Sequence, residues 1–143
     1  GAPVGSVLSG DAETIDKARY FRKMFGGGLR QSGILAAGGL YAMEHNIKRL
    51  SEDHANARKL AEGLAETGSV EINLEEVRTN MVFFRLKNGL DHNEVVAQFG
   101  EHGVRMLAQA AGVIRAVTHL NVNEAQIDRT LDVCRTVLRN GSL

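Results

Sequence analysis

Arg22-Lys23-Met24-Phe25-Gly26-Gly27-Gly28-Leu29-Arg30-Gln31 joins two helix-like segments through three consecutive glycines, with basic side chains on both flanks. Glycine loses more backbone freedom on folding than any other residue. A triple run is therefore expected where the chain needs positive φ or where a backbone comes close to something else. Lys23 would lie near the end of one helix, where a cation suits the dipole, and Arg30 at the start of the next, where it does not. Two readings stay open: a solvated pair at helix ends, or an anion shared between the basic groups and free backbone N–H groups.

Working outward, Asp11 caps a helix whose Ile15, Ala18, Phe21 and Phe25 recur at helical spacing, and the glycines end it. Ahead of it, Val4 to Ser9 reads as a short strand. A second helix runs from Gln31 through Ile34, Leu35, Ala37, Leu40 and Tyr41 and on past His45. Gly38 and Gly39 inside it each cost roughly 1 kcal/mol against alanine, which predicts a neighbouring backbone crossing close by. Residues 46–66 continue as an amphipathic helix with Ile47, Leu50, Ala57, Leu60, Ala61 and Leu64 on one face, and Gly68 stops it.

Beyond Gly68 short strands alternate with helices. Val70 to Asn73 and Asn80 to Lys87 read as strands, and Asp91 caps a helix that ends near Gly103. Val104 to Leu107 and Val113 to Thr118 follow as strands, and Asn123 caps a final helix with Ile127, Leu131, Cys134, Val137 and Leu138 as its buried stripe. The order ββαββα predicts a sheet with helices on one face. The chain is accordingly α/β, with a division expected between residues 1–66 and 67–143.

The 143 residues suffice for one good core. Seventeen basic residues balance seventeen acidic ones, so no global field points to nucleic acid or an acidic membrane. One cysteine excludes an internal disulfide and fits a reducing cytoplasm. The start, Gly1-Ala2-Pro3-Val4-Gly5-Ser6, lacks the charged and apolar regions of a secretory signal and reads as though cut from a longer sequence.

Among residues able to carry chemistry, Arg115 is the strongest. Strand alternation in Val113-Ile114-Arg115-Ala116-Val117 puts it on one face with Val113 and Val117. A planar guanidinium can hold a carboxylate through two parallel hydrogen bonds, so Arg115 reads either as the holder of an amino-acid carboxylate or as half of a structural ion pair. The five histidines, His45, His54, His92, His102 and His119, have no zinc-site spacing, and only His119, at the end of the Arg115 strand, invites a test. Cys134 lies on an apolar stripe and reads as an inert buried thiol. There is no nucleophile elbow and no phosphate loop of the Walker or dinucleotide type.

Several of these strings, taken in order, resemble the low-specificity L-threonine aldolases, pyridoxal-phosphate (PLP) enzymes of the aminotransferase-like, fold-type I class. They are Gly1 to Ser6, Arg22-Lys23-Met24, Gly26 to Ala37, Glu52-Asp53-His54-Ala55-Asn56-Ala57-Arg58, Thr79-Asn80-Met81-Val82 and Arg115-Ala116-Val117-Thr118-His119. The resemblance implies the C-terminal half of such an enzyme: the end of the large PLP-binding domain with a long connecting helix (1–66), then a small α/β domain (67–143). It implies retro-aldol cleavage of L-threonine or L-allo-threonine to glycine and acetaldehyde, with the cofactor accepting the electron pair left at Cα. Arg115 is similar to the arginine that holds the substrate carboxylate. Lys23 and Arg30 resemble residues that line the cofactor region, in a homotetramer built of dimers that share active sites.

The lysine that forms the Schiff base in that family stands three residues before the position equivalent to Gly1. None of Lys17, Lys23, Lys48, Lys59 and Lys87 matches its context, so the chain by itself is expected to be inactive. Two other readings remain: a non-catalytic α/β interaction module, and another PLP lyase of the same fold, β-eliminating or similar to serine hydroxymethyltransferase.

Overall fold

The computed structural model describes residues 1–2, 4–87 and 89–140. Two units are formed, Gly1–Lys48 and Arg49–Leu143.

In the first unit, helix α1 spans Ala12–Met24. The Asp11 carboxylate caps it, accepting from the Thr14 backbone N–H at 2.8 Å and from its hydroxyl at 2.9 Å. These bonds hold the Asp11 carboxyl below the usual aspartate range. The glycine run closes the other end. Gly26 N–H donates to Lys23 O at 3.2 Å and Gly27 N–H to Arg22 O at 2.7 Å, with Gly26 at φ +82°. This paired closure requires the left-handed conformation at Gly26. A Cβ on Gly27 would stand 2.8 Å from Arg22 Cγ. Two of the three glycines are thus explained by ending α1, with no ligand needed.

Three expectations for this unit are corrected. Val4 to Ser9 forms no strand, and Val7 is 97% exposed, because a strand needs an edge to pair with and the unit's regular elements are both helices. The second helix, α2, spans Gly33–His45 and starts later than Gln31, whose φ of +52° is incompatible with a right-handed helix. It also does not run into the next helix, since residues 46–49 form turns. Neither α1 nor α2 buries a residue, and Ile34, Leu40, Tyr41 and Met43 all stand exposed.

The second unit starts with α3, Leu50–Glu66, closed at Gly68 with φ +71°. Strand β1 (Val70–Glu71), β2 (Met81–Leu86), α4 (His92–Glu101), β3 (Leu107–Ala108), β4 (Val113–Val117) and α5 (Glu124–Asn140) follow. Asp91 caps α4, accepting from the N–H groups of Asn93 and Glu94 at 2.7 and 3.1 Å. Asn123 and Gln126 cap α5 reciprocally, each side chain accepting from the other's N–H at 3.0 and 2.9 Å. The sheet is antiparallel throughout, in the order β1-β2-β4-β3. All four strands are shorter than expected, β1 and β3 by half. Asn73 leaves β1 to cap a 3₁₀ turn at Leu74–Glu76, and Val104 N–H is spent on Phe99 O, closing α4.

Val82, Phe84, Ile114 and Ala116 point to the helices and are buried with Leu60, Leu64, Phe99, Ile127, Leu131, Cys134 and Leu138. The helices therefore cover one face of the sheet, as the element order predicts. Because Ala57, Leu60, Ala61 and Leu64 belong to this core, α3 groups with the sheet and the division falls after Lys48, where the sequence suggested residue 66.

Of the Gly38-Gly39 pair expected to mark a close helix approach, Gly39 shows none. A Cβ on Gly39 would meet nothing within 4 Å, whereas one on Gly63 would lie 2.5 and 2.6 Å from the Leu131 methyls, inside the α3–α5 contact. Leu131 is itself buried and has little room to yield. Gly63→Val is expected to destabilise the chain by about 1–3 kcal/mol in urea unfolding, through overpacking; unchanged stability would refute the tight crossing.

Candidate functional site

Arg115 sits in the middle of β4, on the sheet face away from the helices. Phe83 of β2 is its direct partner on one side and Leu107 of β3 on the other. Asn80 and Thr118 are joined across the ladder by a backbone bond of 2.9 Å, so the antiparallel alternation makes Phe83 and Arg115 a pair without mutual backbone bonds. In such pairs the side chains approach more closely. Val113 and Val117 flank Arg115 along its own strand, and Met81, Phe83, Leu107 and Val117 are each between 41% and 48% exposed. A sheet face open to water ordinarily carries polar residues at these positions. Here it holds two arginines, Arg85 and Arg115, and the immediate neighbours of Arg115 are apolar.

The Arg115 Nε is buried and has no hydrogen-bond partner, and among the described residues the guanidinium makes no ion pair. The structural ion pair left open by the sequence is therefore absent from this part of the molecule. A buried, unsatisfied guanidinium N–H is costly, and an added carboxylate would satisfy it.

Lys23 and Arg30 lie in the other unit. Both are exposed, and neither makes an ion pair among the described residues. Lys23 folds back over Gly28, where a Cβ would come 3.1 Å from its Nζ. Arg30 precedes the strained Gln31, and Ser32, at the N-cap of α2, makes no side-chain capping bond. The start of α2 thus keeps donors that an anion such as a phosphate could take.

His119 is exposed, and its Nδ1 accepts from Asn121 N–H at 3.3 Å, shaping the turn after β4. Cys134 is fully buried, and burial pushes its thiol up to about 12, which leaves it unreactive. Among the described residues no cluster of three or more His, Cys, Asp and Glu could hold a metal, and no helix is long and apolar enough to cross a membrane.

Sequence reasoning passed over Phe83 as a neighbour of Arg115, although the alternation Met81-Phe83-Arg85 could have placed it on that face. It also passed over a buried polar network. Asp53 is 4% exposed; its Oδ2 lies 3.3 Å from Arg49 Nη1, its Oδ1 has no partner, and its carbonyl accepts from Thr118 Oγ1 at 2.7 Å. The only signal was an acidic residue in the first turn of an otherwise apolar helix face.

Solved structures with this arrangement include the cystine C-S lyase C-DES, among them a lysine-to-alanine mutant with glycine covalently linked to its PLP cofactor. The match covers 73% of this chain and 28% of that one, with a TM-score of 0.61 and 21% identity. The α/β fold is thus the one seen in PLP-dependent, aminotransferase-like enzymes. Residues 1–87 match the beta-eliminating lyase family, and the chain belongs to it. The low specificity L-threonine aldolase of Escherichia coli (strain K12) is 44% identical over 129 residues, covering 89% of this chain and 36% of that protein. Low-specificity L-threonine aldolase 1 of Arabidopsis thaliana is 37% identical over 133 residues, covering 92% of this chain and 37% of that protein. The chain thus spans about a third of the length of these relatives.

Proposed function

We propose that the chain serves a PLP-dependent aldolase that cleaves L-threonine or L-allo-threonine to glycine and acetaldehyde. The observation that carries this reading is its similarity to proteins named low-specificity L-threonine aldolase from a bacterium, a plant and a yeast. In this reading Gly1–Lys48 ends the cofactor-binding domain, and α3 with the sheet forms the small domain. The whole protein is a cytoplasmic homo-oligomer, with a Schiff-base lysine ahead of Gly1.

Each unit carries basic residues suited to an anion. Arg115, with its unsatisfied Nε, takes the substrate carboxylate and fixes Cα relative to the neighbouring Phe83 and Leu107. Lys23, folded over Gly28, and Arg30, ahead of the uncapped Ser32, take negative charge from the cofactor or line its entrance. When bound, PLP supplies the electron sink for the pair released as the Cα–Cβ bond breaks.

The test is product analysis on the protein made from its complete gene and supplied with PLP. Threonine should yield glycine and acetaldehyde. The family match favours a second reading, a β-eliminating lyase; elimination products without acetaldehyde would establish it. Arg30→Ala in the same protein should weaken cofactor retention at least about tenfold, the loss of one charge-assisted contact. Full cofactor occupancy in that variant would return Arg30 to a solvated helix-end role.

A further inference from the structure

Arg115 can recognise a carboxylate only if the end of β4 holds still, and that end is fixed by side chains beyond the regular ladder. The last paired residues are Met81 and Val117. One step further, Thr118 N–H donates to Asn80 O at 2.9 Å, but the return bond of a regular pair is made by a side chain: Asn80 Nδ2 donates to Thr118 O at 2.7 Å. Thr118 is 2% exposed, and its hydroxyl donates to the Asp53 carbonyl of α3 at 2.7 Å, with Asn80 O at 3.3 Å. Asn56, one turn along α3, donates from Nδ2 to Val122 O at 3.0 Å and holds the turn that follows. Strand, turn and helix are thus pinned together three residues from Arg115.

The arrangement is more than ordinary strand pairing. A threonine hydroxyl buried against a helix carbonyl is a costly choice, since valine fills nearly the same volume and needs no partner. Its retention at the strand's end, joined to an asparagine that completes the ladder, gives that end one position relative to α3. Losing the clamp frees the last pairs of the ladder to fray, and Arg115 lies just inside them.

We infer that Thr118, with Asn80, is a positioning residue for Arg115: it sets the reach of the guanidinium by tying β4 to α3. This rests on the reading of Arg115 as the carboxylate holder. The residue itself touches no substrate, so its removal should weaken substrate capture more than turnover.

The experiment compares Thr118→Val, Thr118→Ser, Asn80→Asp and Arg115→Lys in the protein from its complete gene, with KM and kcat for threonine and thermal unfolding measured for each. Thr118→Val is expected to raise KM about tenfold while kcat changes less than about threefold, an effect in line with small misplacement of a binding group. Thr118→Ser, which keeps the hydroxyl, should restore KM. Should the valine variant not fold, Asn80→Asp, which swaps the donor facing Thr118 O for an acceptor, is expected to raise KM in the same way. Equal KM in the wild type and in whichever of these two variants folds, while Arg115→Lys raises it, would overturn the positioning role alone. Unchanged KM in Arg115→Lys would instead overturn the carboxylate reading beneath it. Failure of both Thr118→Val and Asn80→Asp to fold, with Thr118→Ser normal, would assign the clamp to stability and overturn the inference.

Discussion

Arg115→Ala, in the protein made from its complete gene, is expected to raise KM for threonine about 30- to 1,000-fold, corresponding to loss of about 2–4 kcal/mol of a bidentate charged contact. The size follows from the surroundings. On an exposed surface such a contact would be worth under about 1 kcal/mol. Arg115 instead stands between Phe83 and Leu107 with its Nε already out of water and unbonded, so that N–H gains a partner without giving up a water when a carboxylate arrives. Arg115→Lys keeps the charge but not the fork, and should recover only part of the affinity. Neither change should lower thermal stability much, since Arg115 makes no ion pair among the described residues. A KM equal to the wild type's would remove the carboxylate role and leave the open sheet face without a ligand.

Phe84→Ala is expected to cost about 3–5 kcal/mol of stability, read as a lowered urea midpoint with little change in slope. Phe84 is 2% exposed and faces α3 and the rest of the core, so its removal both forfeits transfer energy and leaves a cavity among side chains that are themselves locked. That loss is a large part of the 5–15 kcal/mol typical of a domain. Its neighbour Phe83 points the other way and is 46% exposed. Phe83→Ala should therefore cost only about 1–2 kcal/mol in the same chain, because about half of its surface stays in water and no enclosed cavity is left. Equal losses from the two phenylalanines would mean that the two faces of β2 are wrongly assigned, since a shift of one residue exchanges every inward and outward side chain.

The second unit was legible because each of its signals is local. Asp91 and Asn123 cap their helices through their own neighbours, and Gly68 and Gly103 take the positive φ that a helix end requires. The alternation in β2 and β4 assigns Val82, Phe84, Ile114 and Ala116 to one face and Arg115 to the other without knowledge of any partner. Where boundaries moved, a nearby polar group had claimed the backbone: Asn73 ended β1, and Phe99 O took the N–H of Val104.

The first unit read less well, for reasons that are also physical. Val4 to Ser9 has the composition of a strand but no edge to join, and composition alone makes no ladder. The glycine run ends α1 as its sequence suggests, and the anion site that its basic flanks left open is not needed to explain it: the capping bonds at Gly26 and Gly27 account for most of it within α1. Glycine marks a constraint without saying whether the constraint lies in the same helix, as at Gly26, or in a neighbour, as at Gly63.

By itself the sequence determined the α/β class, the ββαββα order, the helix caps, the stripe that includes Cys134, the strand face that carries Arg115, and a resemblance to aldolases built from strings spread along the chain. All of these depend on periodicity or on residues close together in the chain. The tertiary structure alone decided that Arg115 is unpaired and framed by Phe83 and Leu107. It likewise decided that α3 belongs to the core of the second unit, that Gly63 rather than Gly39 marks the tight crossing, and that Thr118 is tied to Asp53 across 65 positions of sequence. Contacts of that kind arise when separate elements pack, and no local pattern records which of several compatible partners each group will meet.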